Sequence, residues 1–574
     1  MNLQELKSLK ESKFSPLRFC ANLVGMSEKN ENQNKKSKSL LSAGLSLSFF
    51  TLCSRILGLA REMTKAAFLG TSKFADAFGI AFMIPNLLRR LFAENSISVA
   101  FIPTFKGYLE DKDSESVKKT KEFLSATITL ITFLTTCVVV LGMIFTPLIV
   151  KIFLKGSDNF LILETSLLTR IMFPYLIVIS IAAFFQGVLN GVKIFSPSGF
   201  TPVLFNSVVI AATYILTPIL IKFSGAQADA ETRSQMAARA MSIGVISGGC
   251  VQALFQLPFV LKTGWNFHFV SLKKAFSNAG TRRVMKLIVP TVIGMAAYQL
   301  NDVVSTALAG RAGEGIVSSL QYSLRLQELI LGIFAVSIGT VILPDLSGLA
   351  KNQNWAEFNK MLVSSAKIMA LISIPITFLS LVCEKEIISL VYKSKRFSDE
   401  SVLLTLSAFK WHIAGLFFIA VNRIISPAFY AQGDTKSPTF AGIAGFAVNI
   451  ALALALASPF GGGGIALALS IASFANTVLL FILMRKNRNL DVKFVAGKTV
   501  LYALKLVVLS LIAAVPACFA RNALVPIFEG HGRLIGFGAP LLLTSLVYGA
   551  AGIALLLITK DEIVKLIVKK LKRK

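Results

Sequence analysis

The sequence predicts an all-α polytopic membrane protein with fourteen transmembrane helices. Three observations predict it: an apolar composition, the recurrence of bilayer-length apolar runs, and basic loops that alternate along the chain. Hydrophobic residues make up 54% of the 574-residue chain, charged residues only 16%, and the mean hydropathy is +0.69. Soluble globular domains hold about 45–50% apolar residues even with glycine counted. About 20 apolar residues cross the hydrocarbon core as a helix.

Fourteen runs meet that length. The first six lie near residues 40–62, 74–105, 122–150, 161–190, 198–222 and 237–261. The next six lie near 286–310, 315–349, 358–382, 401–430, 438–458 and 463–484, and the last two near 499–520 and 534–559. The longer ones must tilt or project beyond the bilayer. Lys106, Lys112, Lys118, Lys119 and Lys121 follow span 2; Lys262, Lys273, Lys274, Arg282, Arg283 and Lys286 follow span 6; Arg485, Lys486, Arg488, Lys493 and Lys498 follow span 12. These loops fall on one side with the Lys-rich N-terminal tail and the basic run Lys569–Lys574, so the positive-inside pattern puts both termini in the cytoplasm. The net charge of +29 is thereby spread along the chain rather than pooled on one face, which excludes a nucleic-acid-binding protein.

Residues 1–39 are polar, lack the apolar core of a signal peptide, and read as a disordered cytoplasmic tail. Met26 opens a Met-Ser-Glu-Lys run that would serve equally well as a start. The six cysteines are scattered with no C-x-x-C pair, and read as small apolar fillers. His268, His412 and His531 are far apart and form no metal-ligand motif, so no metal centre or cofactor is expected.

Two matches at one offset indicate a duplication. Phe92–Pro103 resembles Phe334–Pro344, and Gln186–Asn206 through Pro197 resembles Gln432–Asn449 through Pro438; each pair of prolines is 241 residues apart. The duplication makes spans 1–6 (residues 40–262) one six-helix lobe and spans 7–12 (286–485) another, related by a pseudo-two-fold axis along the membrane normal with a substrate site between them. Residues 263–285 form an amphipathic cytoplasmic linker, spans 13 and 14 (486–560) lie outside both copies, and 561–574 is a basic tail. Gly461–Gly464 is a tight connection between spans 11 and 12 without the context of a phosphate loop.

Charged residues inside this apolar sequence are the candidate site, since each costs at least about 2.5 kcal/mol at the centre of a bilayer unless it faces a cavity, partner or ligand. Arg55 lies inside span 1 beside Ser54, and Arg61 where that run ends; Asp76 opens span 2, whose far end reads Pro85-Asn86-Leu87-Leu88-Arg89-Arg90, followed by Glu94. Arg90 and Glu94 have the i, i+4 spacing of an ion pair, which leaves Arg89 as the unengaged cation. Arg325 and Glu328 lie inside span 8, and Arg423 inside span 10. Arg61, Arg170 and Lys410 are equally explained by snorkelling to an interface. Arg55, Arg89 and Arg325 have fewer acids than bases around them, and guanidinium keeps its charge and matches phosphate and carboxylate geometry, so a multiply anionic ligand is expected, a diphosphate being the natural candidate.

Several motifs in order carry a resemblance: Ser54-Arg55-Ile56-Leu57-Gly58-Leu59-Ala60-Arg61, Asp76-Ala77-Phe78, Pro85 through Glu94, Ala100-Phe101-Ile102-Pro103, Arg325-Leu326-Gln327-Glu328, Gly339 through Pro344, and Phe429 through Pro438. From about residue 40 onward the chain resembles the MurJ (MviN) lipid II flippases of the multidrug/oligosaccharidyl-lipid/polysaccharide exporter superfamily. The resemblance implies two six-helix lobes with two further helices grooved for a polyprenyl tail, in the bacterial cytoplasmic membrane. It implies substrate contacts at Arg55, Arg61, Arg89 and Arg325, with Ser54, Asp76, Asn86, Arg90, Glu94, Glu328 and Arg423 supporting or gating. It also implies lipid II and membrane lipids as partners, a functional monomer, and association with the cell wall synthesis machinery. Met83 departs from a basic residue common in the family, Leu324 from a polar one, and Glu62 from Asp. Some members bind sodium in the second lobe; Asn449 fits that site, but Ser305 and Ala453 stand where carboxylates are expected and Asp302 lies a turn away, so no sodium site is expected here. A flippase for another polyprenyl-linked glycan is the near alternative; a membrane enzyme acting on polyprenyl diphosphates would need a carboxylate pair or activated nucleophile that the loops do not supply.

Overall fold

Backbone polar groups in a bilayer must be satisfied within the chain, which favours helices wherever the sequence is apolar over bilayer length. In a computed structural model that describes residues 34–91, 100–110, 115–225, 229–486 and 490–564, the chain is all-helical. The N-terminal half runs through α1 (Asn34–Leu69), α2 (Lys73–Arg89), α3 (Ile102–Glu110), α4 (Ser116–Phe153), α5 (Asn159–Met172), α6 (Tyr175–Gly191), α7 (Ser196–Ser224) and α8 (Ala230–Lys262). A linker with a short helix α9 (Leu272–Ser277) leads to α10 (Ala279–Ala312), α11 (Ile316–Lys351), α12 (Trp355–Val382), α13 (Glu384–Tyr392), α14 (Asp399–Ala414), α15 (Leu416–Tyr430) and α16 (Lys436–Met484). A hairpin of α17 (Val492–Phe528) and α18 (Gly532–Ile558) completes the described chain.

Among the described residues eight helical segments are long and apolar enough to cross a membrane, or nine if α14 and α15, bent by 41°, form one span. Helices α1, α2, α10 and α11 are not among them, and these are the helices that carry most of the charged residues considered below. The N-terminal half is held by an aromatic core in which Phe101 stacks on Phe105 and Phe123, with ring centroids 5.6 and 5.7 Å apart. It also contains a buried ion pair, Glu164 with Arg239, at 2.7 Å.

Two boundaries differ from the sequence expectation, and the kink between spans 11 and 12 falls within the expected Gly461–Gly464 connection. Helix α1 begins at Asn34 rather than at 40, so only residues 1–33 of the expected tail lie outside the described residues, as do 565–574 of the basic tail. Helix α10 begins at Ala279 rather than near 286, because the Asn278 carboxamide oxygen accepts from the N–H groups of Gly280 and Thr281 and starts the helix early. The linker ahead of it runs along α4, where the Ser125 and Thr129 hydroxyls accept from the His268 and Val270 N–H groups. Spans 11 and 12 form one helical run, α16, broken at Gly461, whose φ of 52° and ψ of −131° suit glycine. At Gly464 the backbone lies against the Leu456 carbonyl with no room for a Cβ.

The α17–α18 hairpin docks on α12 and α13, touches α16 lightly, and is pinned at both ends. At one end the Arg521 guanidinium grips the Glu386 carboxylate with both forks, at 2.9 and 2.8 Å, and Glu386 is 3% exposed. At the other, Asp561 accepts from Tyr502 at 3.0 Å and Lys505 at 2.7 Å, and Lys367 pairs with Glu562 at 3.3 Å. Removing one member of a buried pair leaves an uncompensated charge at a cost of about 3–5 kcal/mol. Arg521→Ala is therefore expected to loosen the hairpin, read as a lowered Tm of the purified protein and new proteolytic cleavage near residues 528–532. Glu386→Gln combined with Arg521→Met should recover most of the loss, because it leaves no unpaired charge.

Candidate functional site

A cavity of about 420 Å³ lies where the two halves meet, walled by α1, α2, α7 and α8 on one side and by α10, α11, α14 and α16 on the other. Four cations line it: Arg61 and Lys65 from α1, Arg90 at the end of α2, and Arg325 from α11. Three carboxylates line it as well, Glu62, Asp302 and Glu328.

Each arginine of the lining has a carboxylate beside it. Arg61 meets Glu62 at 2.8 Å, Arg90 meets Asp302 across the cavity at 3.3 Å, and Arg325 meets Glu328 at 3.2 Å. Arg61 also lies over the rings of Phe82 and Phe205, at 5.7 and 5.9 Å. The surplus of guanidinium over carboxylate expected from sequence is therefore mostly absent. The Arg90 and Arg325 side chains are 40% and 32% exposed, and ion pairs of that exposure contribute roughly 0–1 kcal/mol. Such pairs exchange readily with an incoming anion. Arg325 reaches α1 because Gly58 leaves a gap: a Cβ there would collide with the guanidinium.

Beyond the cavity the halves are bonded together at the end of the bundle that holds the α1–α2 turn. Asp76, 4% exposed, accepts from the N–H groups of Gly315 and Ser318, both at 2.7 Å, and so caps α11 from the other half. Tyr322 donates to the Gly70 carbonyl at 2.9 Å, Thr71 and Ser401 share a hydrogen bond of 2.8 Å, and the Lys73 N–H donates to Glu314 at 2.8 Å. Arg396 donates to Ser234 at 2.7 Å, and Arg311 to the Ile152 carbonyl at 2.7 Å. Gly315, with φ of 79°, sits against the Thr71 carbonyl where a side chain would not fit. These bonds close the cavity at the Gly70 end.

The other residues singled out in the sequence fall in several places. Asn86 lines the cavity and accepts from the Arg89 Nε at 3.0 Å, so Arg89 is engaged, contrary to the expectation that it stands unengaged. Arg55 and Arg89 are half-buried and are not among the lining residues; Ser54 accepts through its carbonyl from Asn206 at 3.3 Å. Arg423 is exposed on α15, away from the cavity. Glu94, and with it the expected Arg90–Glu94 pair, lies outside the described residues. Sequence reasoning missed Lys65 and Gln321, which line the cavity one helical turn from Arg61 and Arg325, and His412, whose Nδ1 lies 2.6 Å from the Ser323 hydroxyl. The i, i+4 spacing to a known arginine was the available signal for the first two.

The residues of the family's sodium site do not fit a sodium ion. Asn449 donates to Asn301 at 2.6 Å and to Ser305 at 3.3 Å, so the group is neutral and brings no carboxylate, although the Asn449 Oδ1 is itself buried without a partner. Asp302 turns to Arg90 instead.

Comparison with known proteins places this geometry. The profile of a family described as "Lipid II flippase MurJ" matches residues 65–528. The chain is 44% identical over 531 residues to the "Probable lipid II flippase MurJ" of Treponema pallidum, covering 92% of this chain and 97% of that one. A solved structure described as "Lipid II flippase MurJ, inward closed conformation" superposes with a TM-score of 0.70 at 26% identity, covering 90% of this chain and 99% of that one. An inward-facing multidrug resistance MATE transporter of the MOP superfamily shares the fold alone, with a TM-score of 0.60 at 15% identity over 75% of this chain and 94% of that one.

The gap at Gly58 yields a direct test. Gly58→Ala replaces glycine by a better helix former and displaces only the far end of Arg325, so stability should change by no more than about 1 kcal/mol. Cells that depend on the variant should nevertheless lose function as Arg325→Ala cells do, measured by growth complementation alongside Tm. Wild-type complementation by Gly58→Ala would show that the Arg325 position is unimportant.

Proposed function

We propose that this chain, which belongs to the MurJ lipid II flippase family, moves lipid II from the cytoplasmic to the periplasmic leaflet of the bacterial inner membrane for cell wall synthesis. The family is one of transporters, not enzymes. Its single strongest support here is the cation-lined cavity between the halves, closed at one end by a set of cross-half hydrogen bonds.

In this reading the helices form fourteen spans: two six-helix lobes, residues 40–262 and 286–485, joined by the linker at 263–285, with spans 13 and 14 at 486–560 as the groove for the polyprenyl tail. The positive-inside pattern of the basic stretches after span 2, α8 and α16 supports a cytoplasmic linker end and cytoplasmic termini. The Gly70 end is then periplasmic, and the molecule faces inward. The diphosphate and the carboxylates of the headgroup enter from the cytoplasm while the tail stays in lipid, and one lobe rocks against the other to release the headgroup outside.

The arginines divide by depth. Arg61 and Arg325 hold the anion in the cavity, each exchanging a carboxylate partner for it, while Glu62, Glu328 and Asp302 take the guanidinium back when the ligand leaves. Arg55 lies six residues, about 9 Å, nearer the cytoplasm on α1 than Arg61, and Arg89 ends α2 on the same side. Both meet the headgroup on its way in. Asp76 belongs to the periplasmic seal, and Asn86 and Arg90 shape the wall. The exposed, weak pairs of Arg90 and Arg325 suit a carrier, which must release what it binds.

Depletion of the protein is expected to leave lipid II inaccessible from the periplasmic face, measured by an externally added modifying enzyme or binder. Arg61→Ala and Arg325→Ala should each reduce rescue at least tenfold. Arg55→Ala and Arg89→Ala should act more weakly, raising the lipid II concentration needed rather than abolishing export. Normal export on depletion would sink the assignment.

A further inference from the structure

The three cavity arginines each have a carboxylate, but the fourth cation does not share that arrangement. The Lys65 ammonium donates to the Gln321 carboxamide oxygen at 2.6 Å, a neutral partner contributed by the opposite half of the chain. It also lies 4.9 Å from the centre of the Tyr322 ring and 5.9 Å from that of Phe78. The charged groups that act on it electrostatically are Glu62 and Arg61 on its own helix and Asp76 on α2. Lys65 is 3% exposed yet lines the cavity, and lies one turn beyond Arg61 toward the Gly70 end. Among the cations of the lining it is the one whose hydrogen-bond acceptor is neutral, with Glu62 and Asp76 acting on it only from beyond ion-pair distance.

The partners of Lys65 belong to the seal. Tyr322, whose ring faces the ammonium, is the residue that donates to the Gly70 carbonyl. Gln321 lies so close to Gly79 that a Cβ there would collide with its carboxamide, and Gly79 is one turn along α2 from Asp76, the cap of α11. The end of the cavity and the start of the seal therefore meet at one side chain.

We infer that Lys65 is the innermost anion contact of the cavity and the bond through which an anion there loosens the periplasmic seal. This rests on the lipid-flippase reading and deepens it. An anionic oxygen of the headgroup, from phosphate or carboxylate, offers the ammonium a charged acceptor in place of a neutral amide, and charge-assisted bonds are roughly twice as strong as neutral ones. Exchange of the partner breaks the Lys65–Gln321 bridge between the halves. The loaded carrier then has a weaker seal than the empty one, so opening follows loading.

The test uses the full chain in lipid nanodiscs, with the native cysteines replaced and spin labels at Lys155→Cys and Lys395→Cys, exposed positions on the two halves near the Gly70 end. Two probes separate the sources of the anion: a short prenyl diphosphate without sugar or peptide, and a muramyl pentapeptide without phosphate. In the otherwise native protein one or both probes should lengthen the label distance, and the active probe identifies the anion. Lys65→Met should show the longer distance without probe, bind the active probe about tenfold more weakly, and give no further shift. Gln321→Met should loosen the seal in the same way while keeping the affinity, and Lys65→Arg should restore both affinity and response, which a merely misfolded protein would not. A Lys65→Met protein that binds and responds like its parent overturns the assignment to Lys65 and leaves the flippase reading intact. A parent protein that binds neither probe overturns both.

Discussion

A carboxylate from one half of the chain caps a helix of the other. Asp76 accepts the N–H groups of Gly315 and Ser318, which would otherwise be orphaned where α11 begins in a buried interface. The positive end of the helix dipole and two hydrogen bonds thus stabilise a charge that the surroundings would otherwise exclude. Much else follows from that contact: it fixes α2 against α11, aligns Gln321 with Gly79 and Tyr322 with Gly70, and brings Arg325 opposite Arg61. The bond joins only the two halves, so it can be lost without unfolding either.

The cavity beneath that contact follows a different rule. Its arginines all meet carboxylates, at 2.8 to 3.3 Å, and while Arg61–Glu62 is largely buried, the Arg90–Asp302 and Arg325–Glu328 pairs are partly hydrated. A deeply buried pair such as Glu386–Arg521 serves as a rivet because breaking it is expensive. The same chemistry at higher exposure makes a surface whose partners can be replaced. One sequence therefore uses identical residue types for permanence at the hairpin and for exchange in the cavity, and burial decides between the two.

Much of this was legible in the sequence because hydrophobicity and charge act locally. The helices lie close to the apolar runs, and Arg325 stands out because guanidinium in apolar sequence needs a reason; the same argument selects Arg55 and Arg89, which do not line the cavity, and leaves Arg61, which does, to snorkelling. The differences come from tertiary information. Asn278 started α10 early through a cap that composition does not display. In sequence Asp302 is only a carboxylate one turn from Ser305, whereas the folded bundle brings it to Arg90, more than two hundred residues away. Lys65 lies beyond the apolar run at 40–62 and so does not count as a charge in apolar sequence, and its partner Gln321 is 256 residues distant. The order of Arg55 and Arg61 along α1 was readable from helical rise, but which of them lines the cavity was not.

Among the described residues the hairpin of α17 and α18 packs mainly on helices of the C-terminal half, and much of its surface, including Leu501, Leu504, Leu511, Val515 and Phe519, faces outward. Any rocking of the halves therefore drags this apolar paddle sideways through the acyl chains, which must flow around it. The viscosity of the surrounding lipid then enters the turnover rate as friction, so that membrane fluidity, and the growth temperature that sets it, governs the pace of the cycle without changing a single contact to the cargo.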